Sequence, residues 1–205
     1  GVKLVAQIPN LYSLELIDWS GTAHRITDQS LVYLAKNPSL ERLFLQGALI
    51  SDAGLKQLEN SKLTSLGLGR NTKITSAGVQ SLSTLDSLVS LNLNQVEGVN
   101  DRSLESLEPL PELTNLMLME ASITDAAVPH LLKFQSLTDL QLKQTKLTKS
   151  GIERLRTGLP HCRIINIDGR VIEPVKDGTP LASLSDDPER KLATWVIEQG
   201  GTLSV

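Results

Sequence analysis

One apolar phrase, L-x-x-L-x-L, recurs along the chain and constrains the fold more than any other feature. Successive copies begin 29, 23, 25, 25, 24 and 25 residues apart. That period is typical of solenoids rather than of domains with a single centre. The copies are Leu11-Leu14-Leu16, Leu40-Leu43-Leu45, Leu63-Leu66-Leu68, Leu88-Leu91-Leu93, Leu113-Leu116-Leu118, Leu137-Leu140-Leu142 and, as a seventh, Cys162-Ile165-Ile167.

Each copy is predicted to be a short strand followed by a short helix. The last two apolar residues of a copy are two apart, so in an extended chain they share one face. Further on, an aliphatic residue precedes Thr, Ser or Asn, which cap helix N-termini. Apolar residues five and eight positions beyond it form one helical stripe. The predicted caps, four of them followed by an acidic residue as the helix dipole favours, are Thr27, Ser51, Thr75, Asn100, Thr124 and Thr148.

Neither element can bury its apolar face alone, so neighbouring units must stack. Stacking aligns the strands into a parallel sheet on one side and the helices on the other, with the leucines between them. The predicted fold class is therefore an α/β solenoid. A composition with 40% hydrophobic but only 3% aromatic residues suits such a repetitive aliphatic core.

The phrase I-T-D-x-x-L-x-x-L, in units near 25 residues, resembles the leucine-rich repeat family over residues 11 to 168. It is similar to short-unit bacterial leucine-rich repeats, mostly of unassigned function, and to the repeat half of F-box ubiquitin-ligase receptors. The resemblance implies a horseshoe with a parallel concave β-sheet and convex helices. No F-box segment precedes Leu11, so we carry over the fold and not ubiquitin ligation.

The ninth position of the unit departs from related families, in which Asn or Cys bonds to the adjacent turn. Here the position holds Trp19, Ala48, Asn71, Val96, Ala121 and Thr145. A uniform polar ladder is not expected, and the loops after the strands are predicted to be irregular.

Three parts are predicted along the chain: an array of about seven strand-helix units over 1–170, a linker over 171–186, and a helix-strand half repeat over 187–205. In the half repeat, Asp187 is the predicted cap, Pro188 the first helical residue and Gly200 the helix stop. The segment is expected to cap an N-terminal edge, either its own or a neighbour's, through end-to-end or swapped self-association. The alternatives are that it packs beside the seventh strand or begins a further array.

Charge and motifs argue against several functions. A formal net charge of -3 with no basic run does not favour nucleic acid. No apolar run approaches about 18 residues and the start lacks a signal-peptide pattern, so the chain as given is expected to be soluble, in an undetermined compartment. His24, His130 and His161 are too far apart along the array to share a metal. Without a phosphate loop or a catalytic motif, neither a cofactor nor enzymatic activity is expected.

A binding surface is predicted on the concave face, where alternate strand residues point away from the leucines. This face is mostly polar and amide-rich, yet it carries both methionines and one of the two phenylalanines. Such residues are enriched at interface centres, so the predicted partner is a protein or peptide. The alternative is a structural spacer or self-assembling segment of a larger protein. The predicted contact residues are Arg42, Phe44, Gln46, Asn92, Asn94, Asn115, Met117, Met119 and Gln141.

Overall fold

A computed structural model describes residues 2–16, 26–108 and 110–174, and these residues contain one eight-stranded sheet whose strand order follows the chain. The first seven strands are parallel, as expected from the repeat. The predicted half repeat at 187–205 and the loop around Trp19 lie outside the described residues. The strands are β1 Ser13–Glu15, β2 Arg42–Phe44, β3 Ser65–Gly67, β4 Ser90–Asn92, β5 Asn115–Met117, β6 Asp139–Gln141, β7 Arg163–Ile165 and β8 Val171–Ile172.

The central residue of each parallel strand belongs to a continuous apolar spine. From β2 onward these residues are at most 1% exposed, whereas Leu14 in β1 is half-buried. Each fully buried leucine contributes about 1.5 to 3 kcal/mol. The residues aligned by the strand register are Leu14, Leu43, Leu66, Leu91, Leu116, Leu140 and Ile164. The predicted solenoid fold is confirmed.

The predicted register of the seventh copy is wrong by one residue. Leu140 pairs with Ile164, which is fully buried, whereas Ile165 is half-buried and lies on the opposite face. Two adjacent isoleucines fit either face, and a slip of one residue exchanges the two faces of a strand. Only the neighbouring strand decides which isoleucine enters the spine.

The predicted linker, residues 171–186, begins with a strand rather than with a loop. The side chain of Asn166 accepts hydrogen bonds from the backbone N–H groups of Asp168 and Arg170, at 3.0 and 2.9 Å, and the chain reverses there. Residues Val171–Ile172 then form β8, which runs antiparallel to β7. Periodicity does not reveal such a strand because two residues carry no repeat.

The helices begin where the caps predict. Every predicted cap has an extended backbone and directly precedes a helical segment. Short 3₁₀ turns at Lys56–Leu58 and Leu82–Thr84 extend two of the helices, and another at Asp125–Ala127 precedes a third. The α-helices are α1 Val2–Val5, α2 Asp28–Leu34, α3 Asp52–Leu55, α4 Ser76–Ser81, α5 Asp101–Glu105, α6 Val128–Leu131 and α7 Lys149–Gly158.

Four aspartates link neighbouring units on the helical side, a role that sequence reasoning missed. Asp52, for example, accepts from the backbone N–H of Thr75 at 2.8 Å and from its hydroxyl at 2.6 Å. The acidic residue after one cap therefore binds the cap of the next unit, in addition to lying at a helix N-terminus. We name these contacts the aspartate–cap ladder, and its pairs are Asp28–Ser51, Asp52–Thr75, Asp101–Thr124 and Asp125–Thr148.

A glycine makes room for three of the four ladder carboxylates. A Cβ added to Gly78 would collide with the carboxylate of Asp52, and the same holds for Gly54 against Asp28 and Gly151 against Asp125. Each glycine is the third residue of its helix. The glycines are thus explained by the close approach of the preceding unit.

One junction lacks the aspartate and uses a different network. Ser76 occupies its place, and the Nδ2 group of Asn100 donates to the Ser76 hydroxyl at 2.8 Å. The backbone N–H of Asn100 donates to the hydroxyl of Ser103, within the same unit. Because no carboxylate approaches, the third helical residue is Ser103 rather than glycine.

The loops after the strands are regular, which contradicts the prediction. The eighth residue of five successive units has a positive φ between 57° and 72° and donates its N–H to the next unit at 2.9 Å. The loops are therefore kept regular by a backbone ladder, although the sequence offers no uniform side-chain ladder. The residues are Gly47, Arg70, Gln95, Glu120 and Gln144.

Candidate partner-binding surface

The predicted contact residues lie on one face of the sheet. Across the middle of this face the register places Phe44, Gly67, Asn92, Met117 and Gln141 side by side. The rows on either side of this one contain the remaining predicted residues, Arg42 and Asn115 in one and Gln46, Asn94 and Met119 in the other. Residues more than 70 positions apart in the sequence are thereby brought to one surface.

Phe44 is held by its neighbours more closely than the sequence analysis assumed. Its ring leans over Gly67, where an added Cβ would lie 2.5 Å from Phe44 Cδ1. The guanidinium of Arg42 lies 5.8 Å from the ring centroid, within the range of a cation–π interaction. Phe44, Met117 and Met119 are half-buried rather than fully exposed. They form apolar contact areas whose conformations are partly set before any partner arrives.

The amide side chains at the centre of the face are oriented by backbone groups. Asn92 Oδ1 accepts from the N–H of Asn94 at 3.0 Å, and Asn94 Oδ1 accepts from the N–H of Met119 at 2.7 Å. A carboxamide whose oxygen is engaged in this way has its two N–H donors left over. The central asparagines therefore combine a structural acceptor with donors directed elsewhere.

A shallow depression of about 220 Å³ lies beside these asparagines. Gly69 leaves it open because a glycine adds no side chain to the face. Three rim residues were not predicted, and they occupy the left-handed loop position, which periodicity alone does not mark. The lining residues are Gln46, Gly69, Arg70, Asn92, Asn94, Gln95, Met119 and Glu120.

The rim carries opposite charges joined by one amide. Arg70 Nε donates to Gln95 Oε1 at 2.6 Å, and Gln95 Nε2 donates to Glu120 Oε1 at 2.7 Å. Towards β7, Arg163 forms an ion pair with Asp139 at 2.6 Å, and Gln141 Nε2 donates to the same carboxylate at 3.1 Å. The charges of the face are thus mostly balanced locally.

Comparisons with known proteins agree with this geometry. A family model described as Leucine Rich repeat matches residues 59–83, about one unit. The structure is similar to that of TLR13 in its complex with ssRNA13, with 25% sequence identity and a TM-score of 0.56, over 76% of this chain and 22% of that chain. The protein is a leucine-rich repeat protein.

This leucine-rich repeat protein also resembles internalin C2 from Listeria monocytogenes, with 22% identity and a TM-score of 0.53 over 86% of this chain and 78% of that chain. That likeness concerns the fold alone. The chain spans about a fifth of the TLR13 chain to which it is similar. None of the curated protein sequences matches it.

Groups that could support chemistry in this leucine-rich repeat protein are few in the described part of the chain. Burial raises the pKa of the Cys162 thiol to about 12, so the reactive thiolate is scarce at neutral pH. His130 Nδ1 lies 2.9 Å from Glu108, His161 lies just before β7, and His24 falls outside the described ranges. Among residues 2–16, 26–108 and 110–174, no three His, Cys, Asp or Glu side chains are grouped as metal ligands. The longest described helix, α7, has 10 residues and is too short to cross a bilayer.

Proposed function

We propose that the protein is a non-catalytic interaction module that binds a protein or peptide through the concave face of its sheet. The observation that carries this proposal is the contrast in polar bonding between the two sides. On the helical side, polar groups form hydrogen bonds that repeat from unit to unit. On the concave face, apolar side chains and amide donors are presented beside one another without such a repeat.

The composition of the face suits a peptide or protein surface. Phe44, Met117 and Met119 provide apolar area, and half-burial lowers the entropy lost when a partner orders them. Local charge balance and the net charge of -3 do not attract a phosphate backbone. RNA binding is therefore not proposed for this protein, although the similar TLR13 structure is a complex with ssRNA13.

The test is capture of a partner from extracts of the cell in which the protein is made. The double variant Phe44→Asp with Met117→Asp places two charges in the middle of the face and should abolish capture. A matched control, Gln80→Asp with Ala126→Asp, adds the same charges at exposed positions on the helical side. Both variants should keep a cooperative thermal unfolding transition, which shows that the array is intact.

The outcome also separates this proposal from a structural spacer. Equal capture by the Phe44/Met117 variant and the wild type would contradict a concave binding face. Light scattering over a range of concentrations adds a second readout. A spacer that self-assembles should show a mass that grows with concentration, whereas an interaction module should keep a constant mass until its partner is added.

A further inference from the structure

The depression over Gly69 contains hydrogen-bond donors without an internal acceptor. Asn92 and Asn94 both use Oδ1 to accept a backbone N–H, so their Nδ2 groups are the free ends of the two carboxamides. Neither Nδ2 group donates to another atom among the described residues. Donors at a partly buried surface contribute most when a partner supplies acceptors, because a contact that leaves them unpaired is penalised.

The size of the depression limits its occupant. Pockets for drug-sized ligands usually have volumes of about 300 to 1,000 Å³, and this one has about 220 Å³. Gly69, which has no side chain, and Met119, which has an apolar one, are among the residues that line it. One small side chain fits this space, with the flanking backbone of the partner crossing Asn92 and Asn94.

The rim selects against charge. Arg70 and Glu120 stand at the two ends of the hydrogen-bonded chain through Gln95. A charged group of either sign would face one attractive and one repulsive residue while losing its own hydration. An uncharged side chain avoids that loss.

We propose that this depression, which we name the Gly69 pocket, accepts one small uncharged side chain of a peptide partner. Backbone carbonyl groups next to that side chain accept hydrogen bonds from Nδ2 of Asn92 and Asn94. The inference rests on the proposed function, since it names the chemistry by which the concave face recognises its partner. It assigns specificity to Asn92, Asn94 and Gly69, whereas Phe44 and Met117 provide general contact area.

Asn94→Asp is the decisive variant because it preserves the fold contact. An aspartate still accepts the N–H of Met119 but replaces the Nδ2 donors with a charged acceptor. Gln80→Glu is the matched control. It makes the same change from an amide to a carboxylate at an exposed position on the helical side, away from the concave face.

The probe is a displayed library of random linear peptides of about twelve residues, each able to span about 40 Å when extended. Clones selected on the wild-type protein are tested by titration against both variants and against the Phe44/Met117 variant. We expect Asn94→Asp to weaken binding at least about tenfold, the loss typical of an unpaired donor replaced by a repelling acceptor. Gln80→Glu should change it less than about threefold, and the clones should share a small uncharged residue at one position.

Different failures point to different proposals. Clones that bind the Asn94 variant as well as wild type, yet lose binding to the Phe44/Met117 variant, would overturn the Gly69 pocket and leave concave-face binding standing. Clones indifferent to both variants would contradict the proposed function itself. A shared acidic or basic residue among the clones, or a library that yields no binder, would count against the pocket.

Discussion

The helical side and the concave face of this protein use polar side chains in opposite ways. On the helical side, an aspartate binds the next cap at four junctions with nearly the same distances, 2.7 to 2.8 Å to the backbone N–H and 2.6 to 2.7 Å to the hydroxyl. On the concave face, the middle row changes at every unit from Phe44 to Gln141. Repeated contacts keep neighbouring units in register, and unrepeated ones are available to distinguish partners.

Two features depart from this contrast between repeated structural contacts and unrepeated surface residues. Asn71 is unrepeated and fully buried, so it acts in the fold although no other unit has it. The Ser76–Asn100 junction lies on the helical side yet lacks the aspartate. Both can be used to test how far repetition indicates a structural role.

The largest effect among the polar side chains is expected at Asn71. Its Nδ2 donates to the carbonyls of Leu45 and Leu68, at 2.7 and 2.8 Å, and all three groups are buried. Asn71→Val copies the residue of the next unit but removes these bonds, so urea unfolding should show a loss of about 2 to 3 kcal/mol. Thr145→Val, the matched change at the same position of another unit, should cost less than about 1 kcal/mol. A loss for Asn71→Val as small as that for Thr145→Val would show that the buried bonds of Asn71 do not stabilise the fold.

The second effect tests the ladder itself. Asp52→Ala removes the acceptor of both Thr75 bonds and should lower the free energy of unfolding by about 1 to 2 kcal/mol, measured by urea titration. Ser76→Ala, at the corresponding position of the exceptional junction, should lower it by less than about 1 kcal/mol because the Asn100 cap is satisfied within its own unit. An Asp52 variant as stable as wild type would remove the ladder as a source of stability.

The third prediction concerns acid. Hydrogen bonds from the Thr148 hydroxyl and backbone N–H lower the pKa of Asp125 below its ordinary value of 3.8. Since the unfolded state then binds the proton more readily, this stabilisation is complete above pH 3.8 and is lost as the pH falls through the folded-state pKa.

Asp125→Asn should therefore flatten the decline in stability between about pH 5 and about pH 2. The decline is measured from the midpoints of urea unfolding at a series of pH values. Thr148→Val removes the larger cause of the shift and should flatten the decline in the same direction. If the wild type and both variants lost stability in parallel, Asp125 would not be responsible for any of the acid sensitivity.

A smaller effect is expected when the exceptional junction is made regular. The triple variant Ser76→Asp, Asn100→Thr and Ser103→Gly installs the aspartate, cap and small residue found together at Asp52, Thr75 and Gly78. Stability should change by no more than about 1 kcal/mol, because one satisfied network replaces another. Ser76→Asp alone should be clearly less stable than the triple variant, since its carboxylate would meet the side chain of Ser103. Equal stability of the two would mean that the small residue is unrelated to the ladder.

The smallest effect is expected on the concave face. Gln141→Ala removes a side chain whose hydrogen bond to Asp139 is 3.1 Å long and partly exposed. The free energy of unfolding, measured by thermal denaturation, should therefore change by less than about 0.5 kcal/mol. Leu140 lies in the same unit but in the apolar spine, and its replacement by Ala should cost about 2 to 5 kcal/mol. The two variants therefore compare the concave face with the spine within one unit. A large loss for the Gln141 variant would show that the concave face also holds the units together.

Local patterns were sufficient for most of the fold. The two-residue spacing in each strand, the Thr, Ser or Asn cap and the helical stripe act within one unit, so the parallel strands, the helix starts and the leucine spine could be predicted from the sequence. The candidate surface followed from the same alternation, which places Phe44, Asn92 and Met117 on one face. Its partner-binding role stays a proposal.

Contacts between units were decided only by the tertiary structure. The choice of Ile164 over Ile165, the bond from Asp52 to the next cap and the opening left by Gly69 each depend on a residue about 25 positions away, whose side chain meets the first only after stacking. Regularity of the loops likewise arises from backbone bonds to the following unit. The sequence by itself determined which elements form and which faces they bury, because those preferences are local. How neighbouring units fill one another's space was settled by packing.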